Sequence, residues 1–421
     1  MRTVTTLDDL TTPPTTGISG PANEGLLPLA GRAVGLVGSL IDSSTSLLAA
    51  QSHDIVRFAM GAPAPEAMPV EVFRQISNEV LHAGSYTYGA SEGEPELIEA
   101  IVAEYADTPE PTSAERILVT SGGMQGLDLG FKLFVDPGEL VAVESPTYTN
   151  GSATALSYGA DLLEVPVDDD GMRVEELERL VGELGRIPKA IYTIPNFQNP
   201  SGVTLAADRR RRLIELAHRW GAMIIDDDPY GLLRFEGEEL PGFNQLSPQD
   251  PQIFSVRTFS KIMAPGIRVG WVDADPRLHQ LLIHAKQAMD TCTNVPNQHV
   301  VTEYLRRGGL DQHLAGLRTS YRTRKQAMQA ALTEHLGDRV RSTDPQGGFF
   351  LWVTLQGAAA EIDVRKLFDL ALAEGVAFIP GTALSPSQRF ADAFRLCFAT
   401  ESPERIDEGV RRLARALDRA R

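Results

Sequence analysis

Cysteine is scarce in this chain: among 421 residues there are only Cys292 and Cys397, which lie far apart in the sequence. Two such cysteines exclude a cysteine-rich metal cluster and a disulfide framework, since both need more thiols. The two could pair with each other in principle, but because no other feature indicates an oxidising compartment, we expect two free, buried thiols. The His, Cys and Glu residues show no metal-ligand spacing either, so the sequence predicts no metal site.

Long apolar runs are also missing. No stretch reaches the roughly eighteen apolar residues of a membrane-spanning helix, and the longest one near the N-terminus, residues 25–41, is interrupted by Arg32. The first residues lack the apolar segment of a signal peptide. We therefore expect a cytoplasmic protein with no membrane partner.

Basic residues are in the minority. The chain has 39 Lys and Arg against 56 Asp and Glu, which gives a formal net charge of −17 at pH 7. Nucleic acids and anionic membranes would repel such a chain, so we expect no nucleic acid partner. A local basic pocket for a small anion is compatible with this charge.

The most informative stretch covers residues 256–271, VRTFSKIMAPGIRVGW. It places Lys261 next to Thr258 and Ser260 and before Arg268, and the flanking apolar runs are typical of buried strands. A lysine between two core strands is suited to losing its proton and reacting with a carbonyl, while the hydroxyls and the guanidinium suit a phosphate. This combination indicates pyridoxal 5′-phosphate bound as a Schiff base. The alternative is a strand–turn–strand whose lysine merely reaches water.

Strands and helices alternate from about residue 115 to the lysine stretch. The strands are predicted at residues 117–120, 140–143, 162–167, 190–194 and 223–225. Because each is almost continuously apolar, the fold class is α/β, with a largely parallel sheet covered on both faces. Ligands bind at the carboxyl ends of such strands, where we expect Gly122–Met124, Tyr148, Asn199 and Asp227.

The chain divides into three regions by composition and pattern. Residues 1–53 form an arm rich in Thr, Pro and Gly followed by a helical apolar pattern. Residues 54–305 form the large α/β domain. Residues 306–421, with long helices and short strands, form a smaller α+β domain. A chain of this length is too long for one ordinary core.

Three further sites are ambiguous on their own. Glycines at 122 and 123, between a strand and a helix, suit a phosphate or simply a tight turn. The carboxylates of residues 226–228 repel one another, so at least one needs a cation such as a protonated pyridine nitrogen, unless the turn is solvated. Arg395 lies within an apolar strand and needs a buried anion, either a substrate carboxylate or a salt-bridge partner.

Together these sites resemble a known family. The motifs, in chain order, are Tyr-Gly at 88–89, Ser-Gly-Gly-Met-Gln at 121–125, Pro-Thr-Tyr at 146–148, Pro-Asn-Phe-Gln-Asn-Pro-Ser-Gly at 195–202, Asp-Asp-Pro-Tyr at 227–230, Ser-Lys-x-x-Ala-Pro-Gly-x-Arg-x-Gly-Trp at 260–271, Gly-Gly-Phe-Phe-Leu-Trp at 347–352 and Arg-Leu-Cys-Phe at 395–398. From about residue 54 to the C-terminus, the chain resembles the class I/II aminotransferases of pyridoxal-phosphate fold type I. The subgroup that acts on α-aminoadipate, kynurenine and aromatic or branched-chain amino acids is the most similar.

The resemblance implies the roles of the residues around the cofactor ring. Lys261 would form the Schiff base and then move a proton between Cα and C4′. Asp227 would pair with the ring nitrogen, Tyr230 and Asn199 would bond the ring oxygen O3′, and Tyr148 would stack on the ring.

The resemblance also implies a phosphate site and a substrate site. The phosphate ligands would be Gly123, Met124, Thr258, Ser260, Arg268 and, from the other subunit of a homodimer with shared active sites, Tyr88. Arg395 would bind the substrate carboxylate, and Asn199 and Gly61 would also contact the substrate. Residues 1–53 match no motif, although this region selects substrates in the resembled family.

The resemblance thus predicts an aminotransferase that moves an amino group from an L-amino acid to a 2-oxo acid by a ping-pong mechanism. A pyridoxal-phosphate lyase, decarboxylase or oxidase of a biosynthetic pathway is the alternative on the same fold. A second alternative, the effector-binding half of a transcription regulator, would require a basic DNA-binding region, and the leader is poor in Lys and Arg.

Overall fold

The structure is a computed structural model that describes residues 52–420 and four isolated positions, Ala30, Ala33, Leu36 and Gly38. The predicted arm and the helical pattern at 25–50 therefore lie outside the described residues, apart from those four positions. In the described part of the chain, no helix is long and apolar enough to cross a membrane.

Short strands make up the sheets of the described region. In chain order they are β1 (Val56–Arg57), β2 (Ile117–Thr120), β3 (Leu140–Ser145), β4 (Asp161–Asp168), β5 (Gly171–Met172), β6 (Ala190–Thr193), β7 (Met223–Asp227), β8 (Ile253–Thr258), β9 (Gly270–Asp273), β10 (Val340–Ser342), β11 (Phe350–Leu355), β12 (Val376–Ala377), β13 (Ile379–Pro380) and β14 (Ala393–Cys397). Most are buried along their whole length, as expected for strands covered on both faces.

Helices cover the sheets. They are α1 (Val70–Val80), α2 (Pro95–Tyr105), α3 (Gly123–Phe134), α4 (Thr149–Ser157), α5 (Val174–Leu184), α6 (Ala207–Trp220), α7 (Phe243–Leu246), α8 (His279–Gln287), α9 (Val295–Arg306), α10 (Gly309–His335), α11 (Val364–Ala373) and α12 (Pro403–Arg419). The last helix illustrates why these segments are helical: Ile406, Val410, Leu413 and Leu417 recur at helical spacing and are all buried.

The large sheet has the strand order β2-β9-β8-β7-β6-β3-β4-β5. Strands β4, β3, β6, β7 and β8 are mutually parallel, whereas β9 runs antiparallel between β8 and β2. The prediction of a mostly parallel sheet is confirmed. Because β2, β3, β6, β7 and β8 end at the same edge, the residues that follow them meet there.

Helix α3 lies close against this sheet because it carries glycines on its inner face. A Cβ at Gly126 would stand 2.8 Å from a methyl carbon of Val256, and one at Gly130 would stand 3.0 Å from the ring of Phe254. Any larger residue would push the helix away from β8. The glycines therefore hold the N-terminus of α3 beside the end of that strand.

The second sheet is antiparallel, with the order β10-β11-β14-β13, and β1 pairs with β12 in a separate parallel pair. The α/β class with a smaller α+β part is thus confirmed. The predicted division between residues 305 and 306 falls in the last turn of α9 and stays a prediction.

Some predicted boundaries were wrong in ways that have a physical cause. Strand β7 extends to Asp227 rather than Ile225 because both carboxylates have partners inside the fold, Asp226 in Arg257 and Asp227 in Tyr192. Strands β12 and β13 are separate short pieces that pair with different partners, β1 and β14. Both cysteines are free, but only Cys397 is buried, whereas Cys292 is half-buried.

Candidate active site

A cavity of about 230 Å³ opens at the carboxyl edge of the large sheet and is closed on one side by the smaller one. The predicted site residues that line it are Gly61, Gly123, Met124, Tyr148, Asn199, Asp227, Tyr230, Thr258, Ser260, Lys261, Arg268 and Arg395. Residues from five different parallel strand ends and from β14 therefore converge on one space.

Lys261 follows β8 by three residues and points into this cavity. Its Nζ donates a hydrogen bond to the Gly61 carbonyl oxygen at 2.6 Å. Burial lowers the pKa of Lys261 to about 8, and the positive charge of Arg395 acts in the same direction. A substantial neutral fraction near neutral pH makes this amine a nucleophile.

Asp227 is the last residue of β7 and lines the same cavity. Its Oδ2 accepts a hydrogen bond from the Tyr192 hydroxyl at 2.9 Å. Burial raises the pKa of Asp227 to about 7, and the neighbouring carboxylates add to this effect while the Tyr192 bond opposes it. A bound cation would relieve this cost, as a protonated ring nitrogen does.

The two neighbouring carboxylates have other partners. Asp226 pairs with Arg257 at 2.7 Å on the far side of the strand, and Asp228 accepts hydrogen bonds from Asn196 and the Gly231 amide, both at 2.7 Å. The sequence prediction of a cationic partner for this cluster therefore holds for Asp226. Asp227 is the carboxylate that faces the cavity.

One end of the cavity has the donors that a phosphate requires. Helix α3 begins at Gly123, and no side chain caps its first turn. Arg268 bonds the Ser121 carbonyl at 2.9 Å, and Thr258 and Ser260 bond each other at 2.9 Å. Exposed amides at a helix N-terminus, two hydroxyls and a guanidinium form an anion site.

Gly122 is required for this arrangement. Its φ of +83° is favourable for glycine, and a Cβ there would collide with the Arg268 guanidinium. Arg268 itself adopts a left-handed φ of 51°. The backbone at both positions thus lets the guanidinium lie directly against the 121–122 peptide.

At the other end, Arg395 is fully buried without a carboxylate partner among the described residues. Its Nη1 donates to Asn199 Oδ1 at 2.9 Å and its Nη2 to the Ala59 carbonyl at 2.7 Å, while its Nε has no partner. The guanidinium stacks on the Phe350 ring at 4.2 Å. A buried cation with an open donor is a site for a carboxylate.

The remaining predicted residues fall into two groups. Tyr230 is buried against Phe350, and the Tyr148 hydroxyl lies 3.6 Å from Met124 Sδ. Both line the cavity. Tyr88 does not: it is 87% exposed and lies on the surface of this chain.

Two residues that contribute to the site were not predicted from the sequence. Tyr192 holds Asp227 from the adjacent strand β6, and Phe350 supports Arg395. Tyr192 looks like any aromatic residue in a strand buried on both faces, so no signal separated it from the core. Phe350 lies within a quoted motif, but nothing in the sequence shows that it meets Arg395.

The donor set fits pyridoxal 5′-phosphate. An anion site, a buried carboxylate whose pKa burial raises and a lysine whose pKa burial lowers all line one cavity. These are the groups that a phosphate ester, a ring nitrogen and an aldehyde require. The fold and the site therefore define a pyridoxal-phosphate enzyme of fold type I.

Comparison with known proteins identifies the family. The model of the aminotransferase class I and II family matches residues 53–413, so the chain belongs to that family. Aromatic-amino-acid aminotransferase 1 of Thermococcus litoralis is 37% identical over 92% of this chain and 93% of its own, and the 2-aminoadipate transaminase of Thermus thermophilus is 36% identical over 87% and 91%.

Solved structures agree with this assignment. The Pyrococcus horikoshii kynurenine aminotransferase, crystallised with PMP, has a TM-score of 0.86 at 35% identity and covers 93% of this chain, with 97% of its own chain covered. The α-aminoadipate aminotransferase of Thermus thermophilus gives 0.84 at 34%, with the same coverage. The predictions of the family, of an aminotransferase and of pyridoxal 5′-phosphate as the cofactor are confirmed.

The lowered pKa of Lys261 has a measurable consequence. Because the neutral amine attacks the aldehyde, the rate at which the apoprotein captures added cofactor should rise with pH and reach half its maximum near pH 8. Stopped-flow absorbance across neutral and alkaline pH measures this rate. A midpoint near the ordinary lysine value of 10.5 would contradict the effect of burial.

Proposed function

We propose that this aminotransferase uses the cavity residues in the roles that their positions favour, and that it runs as two half-reactions on one site. The observation that carries the proposal is the convergence of Lys261, Asp227 and Arg395 on one cavity, with Arg395 lacking a carboxylate partner in the described residues. The first half-reaction would take the amino group from an L-amino acid, and the second would pass it to a 2-oxo acid.

Arg395 would bind and orient the substrate through its carboxylate. Its guanidinium is fixed by Asn199, by the Ala59 carbonyl and by the Phe350 ring, so its remaining donor has one direction. A pre-oriented guanidinium holds the reacting carbon at a set position relative to Lys261. Gly61 contributes space here, because a Cβ at that position would stand 3.2 Å from Phe350.

Lys261 would hold the cofactor covalently through Nζ and later carry the proton that leaves Cα. When bound, pyridoxal 5′-phosphate supplies an electron-poor ring that accepts the electron pair left on Cα. Burial keeps the lysine pKa at about 8, close to the range in which a general base is effective.

The other residues would hold the ring and the phosphate. Asp227 would keep the proton on the ring nitrogen, with Tyr192 fixing the carboxylate. Tyr230 and Asn199 would donate to the ring oxygen, and Tyr148 would cover the ring face. The phosphate would lie among the ligands described at the N-terminus of α3, which are Gly123, Met124, Thr258, Ser260 and Arg268.

We further propose that the preferred donors have uncharged, apolar or aromatic side chains. The described residues lining the cavity include three cations, Lys261, Arg268 and Arg395. They would bind the cofactor aldehyde, the phosphate and the substrate α-carboxylate, so none of them would be left to pair with an acidic side chain. The rest of the lining is largely apolar, with Met60, Ile194, Phe350 and others. Relatives named for aromatic amino acids and for kynurenine are compatible with this choice, whereas relatives of similar identity are named for 2-aminoadipate, a donor with a side-chain carboxylate.

A half-reaction panel tests the donor class. We expect the cofactor spectrum to change at least about tenfold faster with phenylalanine, tyrosine or leucine than with aspartate or 2-aminoadipate, since a side-chain carboxylate without a cation is costly to bury. Basic amino acids serve as a second comparison. Faster conversion of 2-aminoadipate than of phenylalanine would refute the donor class.

The chain is also proposed to act as a homodimer in which Tyr88 reaches the phosphate of the other subunit. Tyr86 and Tyr88 are 71% and 87% exposed, and Val70 and Val72 of the neighbouring helix α1 are 60% and 40% exposed. Exposed aromatic and aliphatic groups of this kind are typical of a protein interface. A cytoplasmic location, expected from the sequence, stays a prediction.

The Tyr88→Phe variant tests the shared site. Loss of one hydroxyl donor to a charged phosphate should weaken cofactor binding about tenfold while sedimentation still shows a dimer. A monomer at micromolar concentration, or cofactor affinity equal to the wild type, would contradict the proposal.

A further inference from the structure

Lys286 is a fully buried lysine to which the account above gives no role. It lies on helix α8, and its Nζ donates to Asp290 at 2.8 and 3.0 Å and to Gln125 Oε1 at 3.0 Å. Burying an ammonium is costly, so an arrangement of this kind needs a compensating function or an exact set of partners. Its partners contact the turn at the phosphate end of the cofactor cavity.

Asp290 and Gln125 both bind Ser121, the residue before the glycine turn. The Ser121 hydroxyl donates to Asp290 Oδ2 at 2.7 Å, and the Ser121 amide donates to Gln125 Oε1 at 2.8 Å. Burial raises the pKa of Asp290, but the hydrogen bonds from Lys286 and Ser121 outweigh it and lower the pKa below its ordinary value. Asp290 is therefore a carboxylate neutralised by Lys286.

The third polar group of Ser121 faces the phosphate end of the cavity. Its carbonyl oxygen accepts from Arg268 Nη2 at 2.9 Å. The amide, the hydroxyl and the carbonyl of one residue are thus all engaged. Gly122 and the first amide of α3 follow immediately, so fixing Ser121 fixes both the guanidinium and the helix terminus.

We propose that Lys286, through Asp290 and Gln125, is a positioning residue that holds the 121–123 turn and Arg268 in the geometry that binds the cofactor phosphate. This inference rests on the proposed phosphate site and deepens it. Lys286 has a second effect, because without its charge the Asp290 carboxylate would stand unneutralised one hydrogen bond away from that turn and would repel a phosphate.

The test compares pyridoxal 5′-phosphate with pyridoxal, which lacks the phosphate. The affinity ratio is the affinity for pyridoxal 5′-phosphate divided by the affinity for pyridoxal. Measured on the full-length apoprotein by absorbance, it reports the phosphate contribution alone. In Lys286→Met we expect affinity for pyridoxal 5′-phosphate to fall about 10- to 100-fold, and affinity for pyridoxal to stay within about twofold. If Lys286 were only a structural residue of the core, its replacement would lower the affinity for both ligands in parallel. That result would overturn the proposal.

Gln125→Leu provides a second variant that changes no charge. It removes the acceptor of both Lys286 and the Ser121 amide, so it should also lower the affinity ratio, by about tenfold. If Lys286→Met does not fold, an unchanged ratio in Gln125→Leu is the result that overturns the proposal. Lys325→Met is the matched control, since Lys325 is also buried but pairs with Glu236 and Asp344 outside the cavity.

Arg268→Met separates this inference from the phosphate site itself. If Arg268→Met leaves the affinity ratio unchanged, the proposed phosphate site is wrong, and the role of Lys286 falls with it. If the ratio falls in Arg268→Met but not in Lys286→Met, the phosphate site stands and only the role of Lys286 is refuted.

Discussion

Replacement of Lys261 by alanine is expected to abolish transamination and the visible absorbance of the lysine-linked cofactor. The variant loses both the covalent attachment and the proton carrier, whose combined loss should lower kcat about 10⁴-fold or more. The cavity would otherwise stay intact, because Nζ makes one hydrogen bond, to the Gly61 carbonyl. Steady-state rates and the absorbance spectrum of the purified protein measure the two effects.

A matched control is Lys325→Ala, which removes another buried lysine at a distance from the cavity. It should retain the cofactor spectrum and a rate close to that of the wild type. Lys261→Ala with normal turnover would show that the chemistry uses a different amine.

Replacement of Asp227 is expected to remove most of the catalytic rate. Asparagine keeps the shape and the hydrogen bond from Tyr192, but it cannot stabilise a positive charge on the ring nitrogen. Breaking a buried ion pair costs about 3–5 kcal/mol, which corresponds to a fall in kcat of about 10²- to 10⁴-fold. Asp227→Ala should behave similarly and still retain some cofactor, because Lys261 and the phosphate ligands remain.

The control for this prediction is Asp250→Asn, a buried carboxylate that accepts hydrogen bonds from His218 and Ser247 outside the cavity. Rates are measured with the cofactor in excess, so that affinity and turnover are separated. If Asp227→Asn had a rate near that of the wild type, the charge on the ring nitrogen would not matter for catalysis.

Much of the fold could be predicted because its signals are local. Continuous apolar runs marked the core strands, and polar residues at their ends marked the edge where Asn199, Asp227 and Lys261 meet. Arg395 was recognisable because an arginine in an apolar strand needs an anion. The meeting of these residues in one cavity is observed, while their individual roles stay predictions.

The rest depends on contacts between residues distant in sequence. Asp290 and Ser121 lie 169 positions apart, and no pattern in either segment indicates that they touch. Lys286 resembles any lysine of an amphipathic helix until α8 is seen against the start of α3. Likewise, the strand at 223–227 ends later than predicted, because Arg257 and Tyr192 donate hydrogen bonds to its carboxylates from neighbouring strands.

A half-reaction without an acceptor distinguishes transamination from the other pyridoxal-phosphate reactions. The holoenzyme is incubated with phenylalanine and no 2-oxo acid, and the 2-oxo acid produced is quantified against the cofactor. A site in which Lys261 moves the proton for transamination should release one equivalent, stop with the cofactor in its amine form, and return to the starting spectrum when a different 2-oxo acid is added. Product that keeps accumulating without an acceptor would contradict transamination and indicate a lyase, decarboxylase or oxidase.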